Sequence, residues 1–275
     1  MSEGVAEIGF RRSNGRTRLA HLYQREPLRV LFPAPAAGDP LLAVIVTTSG
    51  GLVAGDQISL AVDLSPGAMA HVTASAAEKI YRSTGRITSM SQSLSVGAGA
   101  VLEFLPPETI LFDGARLHRE TRIDLTPGSG FLGGGIVVFG RRARGERFSY
   151  GILREVWEVR RGGELVWGDA LHLDDDIARI LDDPACFAGA AAFATLILAP
   201  AGQDPRSLLD GARAVQSAGP AEGLRAGLTA IAGLVVARWL AADAAILRRV
   251  YADLACHLRC AALGLPPRLP RLWQV

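Results

Sequence analysis

The stretch ISLAVDLSPGAMAHVTA, residues 58–74, alternates aliphatic with small or polar residues up to Leu64, breaks at Pro66-Gly67-Ala68, and resumes as the short run AHVTA. Strict alternation predicts a half-buried strand, and Pro-Gly predicts a tight turn. The unit is therefore strand, turn, strand. It recurs at Ala98-Gly99-Ala100, between QSLSV and VLEFL, and at Pro127-Gly128-Ser129, between TRIDL and GFLGG. The turn glycines stand at positions 67, 99 and 128, a spacing of about 30 residues. Three imperfect copies fit a stacked or coiled β architecture, and fit the hairpins of a large sandwich less well.

Outward from this repeat the chain continues to read as sheet. Arg11 to Gly15 is turn-like, with Asn14-Gly15 suited to a tight hairpin. Leu28 to Phe32, Leu41 to Thr48 and Ile58 to Leu64 are short runs bounded by Pro, Gly or Asp. Across residues 153–173, Gly162-Gly163 separates two strand-like runs that carry Trp157 and Trp167, which are expected to anchor the core. After Asp174 the pattern changes. DDDIARILDDP predicts a short helix with aspartate at its start, Ala191 to Leu198 a strand, and Arg206 to Ser217 another short helix. From Asp243 to Leu263, apolar residues recur at three and four until Gly264-Leu265-Pro266-Pro267 stops them, so this is the longest predicted helix. The expected fold is mainly β, a stacked or coiled β-sheet scaffold with a few helices, the longest near the C-terminus. A single domain spans 1–275 in this reading, with a β-rich body over 1–200 and a mixed helical and β part over 201–275.

Composition narrows the function classes. Apolar residues make up 49% and aromatics only 6%, so small side chains fill much of the interior. Twenty-nine Lys+Arg against 27 Asp+Glu leaves a net charge of +2, which gives no reason to expect nucleic acid as a partner. The first 20 residues carry Glu3, Glu7, Arg11 and Arg12 instead of a signal-peptide core, and Arg238 and Asp243 interrupt the apolar segment from Ala226 to Leu247. No membrane span and a cytoplasmic location are expected. Three cysteines argue against a disulfide framework.

Motifs exclude more than they assign. GGLVAGD, residues 50–56, lacks the Gly-Lys-Ser/Thr ending of a phosphate loop, and GSGFLGGG, residues 128–135, leads into the strand-like IVVFG where a dinucleotide site needs a helix. Those glycines read as a bulge or an unusually close backbone contact. Neither a G-x-S-x-G elbow nor an H-E-x-x-H zinc signature is present, and the five histidines are scattered. Cys256-His257-x-x-Cys260 is the one tight set of soft ligands. Positions 256 and 260 share a helix face, where they can hold a soft metal with a further ligand or simply pack as small thiols.

Six stretches, in order, carry a resemblance that spacing cannot: PLRVLFP at 27–33, TSGGLVAGD at 48–56, AAEKIYRSTG at 76–85, LEFLPPETILFDGA at 102–115, FGRRARGE at 139–146 and PRLW at 270–273. Together they resemble the UreD/UreH family of urease accessory proteins over essentially the whole length. The resemblance implies a largely β, non-enzymatic assembly factor that assists nickel insertion into apo-urease. It implies a helical, UreF-like accessory protein as direct partner and, through it, a UreG-like nickel-carrying GTPase. It also implies nickel as transient cargo in an internal tunnel, with no permanently bound cofactor. Along such a route Asp56 and then Asp113 are the first carboxylates expected, with Glu78 and Glu108 behind them; the alternatives are a salt bridge or turn cap for Asp56 and loop-closing hydrogen bonds for the others. Glu78 departs from the small polar residue usual in the family, and GSGFLGGG departs from its bulkier, more polar pattern. The predicted helix at 243–263 is expected to expose Arg248, Arg249 and Arg259 around an apolar stripe that packs on its own sheet or docks a helical partner. The competing class is a hydrolase or isomerase on a stacked β scaffold. A tunnel open at two surfaces fits conduction, whereas a closed pocket with a carboxylate pair fits chemistry.

Overall fold

The structure, a computed structural model, describes residues 2–219 and 222–273. Its strands are, in chain order, β1 (Glu3–Ser13), β2 (Arg16–Arg25), β3 (Leu28–Leu31), β4 (Leu41–Thr47), β5 (Gln57–Leu64), β6 (Met69–Ala74), β7 (Glu78–Ile80), β8 (Thr88–Val96) and β9 (Val101–Phe104). β10 (Thr109–Leu111), β11 (Arg116–Leu125), β12 (Gly130–Phe139), β13 (Ile152–Arg161) and β14 (Glu164–Leu173) follow. Helix α1 (Ile177–Asp182), β15 (Ala192–Ala199), α2 (Leu209–Ser217), β16 (Leu224–Ile231), β17 (Leu234–Ala241) and α3 (Ala244–Leu263) complete the order.

The repeat read from the sequence is a coil. At each turn the chain leaves a first sheet, rounds a four-residue corner and enters a second: β5 to β6 through Ser65–Ala68, β8 to β9 through Gly97–Ala100, β11 to β12 through Thr126–Ser129. Each corner closes with a hydrogen bond from its fourth N–H to its first carbonyl, at 3.1, 3.0 and 3.0 Å. Gly67, Gly99 and Gly128 sit at the third position with φ of 70°, 63° and 81°, the type II pattern that needs glycine there. Successive corners bond to one another, Gly67 N–H to Ala98 O at 2.9 Å and Gly130 N–H to Ala100 O at 2.8 Å. The coils are thereby stacked in parallel, as in a β-solenoid.

Parallel β1, β5, β8, β11 and β13 form the middle of the seven-stranded first sheet, with β2 and β14 as antiparallel edges. Parallel β4, β6, β9 and β12 start the second sheet, which β15, β17 and β16 extend antiparallel on one side and β3 on the other. One apolar core fills the space between the sheets, and a second lies between the outer face of the second sheet and helices α2 and α3. Trp157 is buried in the first core, while Trp167 packs half-buried at its margin.

Helix α3 starts at Asp243, whose carboxylate accepts from Ala245 N–H and Ile246 N–H, and ends at Gly264 in the left-handed conformation. Its polar face corrects one expectation. Arg249 is exposed and Arg248 half-buried, but Arg259 is only 1% exposed. Arg259 Nε donates to Glu103 Oε1 at 2.7 Å and Nη2 to Glu103 Oε2 at 2.9 Å, while Nη1 reaches Pro266 O at 2.6 Å and Asp39 Oδ1 at 3.3 Å. His71 Nδ1 lies 3.0 Å from the same carboxylate. A charge normally left in water is buried here because this bidentate partner on β9 meets it. Removing one member of such a pair leaves a bare buried charge, so Arg259→Met should lower unfolding free energy by about 3–5 kcal/mol in denaturant titration. Arg259→Met combined with Glu103→Met should recover part of that loss.

Candidate functional site

The parallel register stacks the inward side chains of the first sheet into rungs. Nearest the corners, Leu64 aligns with Val96 and Leu125, and Val62 with Leu94, Ile123 and Val159; all are apolar. At the far end Thr88, Leu117 and Leu153 line up. Between them lie two polar rungs, Leu60–Gln92–Thr121–Trp157 and Ile58–Met90–Arg119–Glu155. Polar side chains inside a sandwich raise the question of what they bond.

Some partners are present. Arg119 Nη1 donates to Thr109 Oγ1 at 2.6 Å, Trp157 Nε1 to Glu155 Oε1 at 2.9 Å, and Thr121 Oγ1 to Gln92 Oε1 at 2.8 Å. Arg119 Nη2 lies 2.9 Å from Glu155 Oε1, off the line of a hydrogen bond. Arg119 Nε, Glu155 Oε2 and Thr195 Oγ1 are buried with no protein partner. Beside this rung is a cavity of about 70 Å³, lined among others by Glu78, Gln92, Thr109, Arg119, Gly135 and Trp157. The rest of its wall is largely apolar, with Leu28, Ile45, Ile58, Leu60 and Phe104 among the lining residues.

Glu78 enters from β7, on the second sheet. Thr47 Oγ1 donates to its Oε2 at 2.5 Å and Lys79 N–H to its Oε1 at 3.2 Å. Burial raises its pKa above the ordinary 4.5 against the opposing pull of these bonds and of the Lys79 and Arg119 charges. No ion pair holds it among the described residues.

Three successive glycines of β12, Gly133 to Gly135, run beside this interior. The register with β15 is continuous from Phe131 to Val138, so they mark close contact and no bulge. Gly135 faces the cavity, where an added Cβ would stand 3.4 Å from Trp157 Cζ2 and 3.7 Å from Arg119 Nη2. Gly134 faces helix α3, where a Cβ would overlap the Thr195 carbonyl oxygen and come within 2.8 Å of the Tyr251 hydroxyl.

The other carboxylates named from the sequence stand elsewhere and brace loops. Asp56 Oδ1 accepts from Ser2 N–H at 2.7 Å and its Oδ2 from Val53 N–H at 3.0 Å, clasping the chain start to the glycine loop. Burial pulls its pKa upward, but the bonds from Val53 and Ser2 together outweigh this and hold it below the usual range. Asp113 accepts from Ser149 N–H and Oγ, each at 2.7 Å, and Glu108 pairs with Arg248 Nη1 at 3.2 Å on the helix side of the sheet. Cys260 is exposed, Cys256 and His257 are half-buried, and all three cysteines are free. Among the described residues no three His, Cys, Asp or Glu side chains gather into a metal-holding group. Of the candidate metal-route and metal-ligand residues named from the sequence, only Glu78 lines the cavity. Arg119 and Glu155 were missed, although counting back in twos from the corner at 126–129 marks Arg119 as inward-facing.

The family model described as UreD urease accessory protein matches residues 2–274. The chain belongs to the UreD family. Among its relatives, the urease accessory protein UreD of Magnetococcus marinus is 43% identical over 99% of this chain and 94% of its own length. That of Methylobacterium sp. strain 4-46 is 41% identical over 99% and 95%, and urease accessory protein UreD 3 of Bradyrhizobium sp. strain BTAi1 is 40% identical over 99% and 93%. The likeness covers both sheets and the helices packed on them, so the polar interior of this UreD-family chain lies wholly inside the matched region.

The glycine geometry separates two neighbouring substitutions. Gly134→Ala should be strongly destabilising, by about 1–3 kcal/mol or more, because strand backbone and a packed tyrosine must move. Gly135→Ala, with ordinary contact distances on the cavity side, should shift the thermal midpoint far less. Differential scanning calorimetry of the two variants checks this.

Proposed function

We propose that this chain is a non-enzymatic scaffold of urease maturation that assists nickel insertion into apo-urease, with nickel passing as transient cargo along the polar rungs and the small cavity between its sheets. Family membership and the relatives' names as accessory proteins support the pathway. The observation that carries the route is Glu78, a half-buried carboxylate without an ion-pair partner among the described residues, in the wall of a small, largely apolar cavity that Gln92, Thr109 and Arg119 also line. Lone carboxylate oxygen ligation suits a borderline divalent cation that must leave again, since a full set of protein ligands would trap it. The size of this cavity weighs against an organic substrate bound within it. Organic substrates occupy pockets of roughly 300–1,000 Å³, and about 70 Å³ is far below that.

In this reading Glu78 is the main carboxylate of the route and the Arg119–Glu155 pair shapes its wall. Asp56, Asp113 and Glu108 hold the surrounding loops in place. The chain docks a UreF-like helical protein and apo-urease in the cytoplasm, and a UreG-like GTPase supplies nickel through the complex. No helix among the described residues is long and apolar enough to cross a membrane.

Activation of apo-urease with purified components tests the proposal. Glu78→Gln keeps an acceptor for Thr47 and should leave the mass of the assembled complex unchanged while nickel transfer falls about tenfold or more, the scale of losing one charged ligand. Undiminished transfer would remove Glu78 from the route. The pH dependence has a definite sign. Nickel needs the ionised carboxylate, which is populated only above the raised pKa, so transfer should fall on acidification from a higher pH than an ordinary carboxylate near 4.5 would give. That component should be missing from Glu78→Gln.

A further inference from the structure

Strand β2 forms one edge of the first sheet and, among the described residues, pairs only with β1, with an irregularity at Ala20; no other described strand pairs with the outer side of its ten residues. Almost the whole strand is exposed, including Leu19 at 39%, Leu22 at 37% and Tyr23 at 47%. A long open edge with apolar side chains is a template for another strand, and proteins usually blunt such edges with charge. The charges here have an unusual arrangement. Arg11, Arg12, Arg16 and Arg18 cluster around the Asn14-Gly15 turn, all exposed. The register sets Arg11 directly opposite Arg18. Arg12 donates to Gly67 O, but among the described residues no carboxylate pairs with any of the four, whereas His21 and Arg25 further along β2 have Glu7 and Glu3. Like charges placed opposite one another across a strand pair repel. An incoming carboxylate relieves that repulsion.

We propose that β2 is a docking edge for an extended acidic segment of a partner protein, which adds to the first sheet as an eighth strand. Its backbone bonds to β2, its carboxylates meet Arg16 and Arg18, and apolar side chains cover Leu19 and Leu22. A second copy of this chain fits less well. β2 carries Arg16, Arg18 and Arg25 and no acidic residue, so pairing with a second copy adds positive charge to positive. Nucleic acid would use the same arginines but leaves the open backbone unpaired.

The probe is a labelled ten-residue peptide alternating glutamate and valine, compared with one alternating lysine and valine and with a ten-nucleotide oligothymidine. Neither urease nor nickel enters the assay, so its outcome is independent of the proposed maturation role. Fluorescence anisotropy should show the glutamate peptide binding at least tenfold tighter than the lysine peptide, with affinity falling as salt rises. Amide exchange should slow within residues 16–25. Arg16→Glu with Arg18→Glu should weaken binding tenfold or more. The single Arg18→Glu variant removes the clash with Arg11 and should unfold at no lower temperature than the parent, which confirms that lost binding is a surface effect. Equal binding of the two peptides, tighter binding of the oligothymidine, protection confined to other strands, or self-association through β2 would each overturn the proposal.

Discussion

A four-residue corner closed by one backbone hydrogen bond sets the register on which the rest of this protein depends. Because the three corners have the same length and bond to one another, every residue counted back from a corner meets its counterpart in the next coil. Identical spacing turns the sequence alternation of separate strands into continuous rungs. Apolar rungs near the corners hold the coils together by burial, at roughly 25 cal/mol for each square ångström of apolar surface removed from water. One added or lost residue in a corner would rotate a whole strand and exchange its inner face for its outer one.

That register also explains how a polar interior survives. Arg119 and Glu155 fall on the same rung of neighbouring coils, so opposite charges meet without any special bend of the chain. Burying them costs desolvation that their mutual attraction only partly offsets. Arg119 Nε, Glu155 Oε2 and Thr195 Oγ1 are left without protein partners, so the network here is only partly satisfied. The Glu103–Arg259 pair is a different case. Its carboxylate is bonded at both oxygens, and it ties helix α3 to the sheet. One buried ion pair serves as a clamp, and the other borders the cavity.

The coil was legible in the sequence because its signals are local: Pro-Gly or Ala-Gly at the corner, alternation on either side. So were the hairpin at Gly162-Gly163 and the limits of α3, marked by Asp243 and Gly264. Arg259 was misread because a charged helix residue is ordinarily solvated, and its burial depends on Glu103, far away in sequence. The hairpin of β16 and β17 was missed for a different reason. Its small and aliphatic residues read as a plain apolar segment, although Ala232-Gly233, with φ of 51° and 77°, occupies the two-residue turn that such hairpins favour. The Asp56 role in the glycine loop could be stated only as a choice between ligand and turn cap, because its partners Ser2 and Val53 are set by tertiary folding. Glu78 carried only its family context, and its surroundings come from distant parts of the chain: Thr47 from 31 residues earlier, Thr109 and Arg119 from later coils.

The central claim is that the polar rungs serve passage of cargo and are not needed to hold the sheets together. A chain carrying Gln92→Leu, Thr121→Val, Arg119→Met and Glu155→Met keeps the volume of the rungs and removes their polarity. Measured for nickel content of urease after maturation with purified components, this variant should fold and assemble as well as the parent yet leave urease largely unloaded. Full nickel loading by a correctly assembled variant would contradict the account.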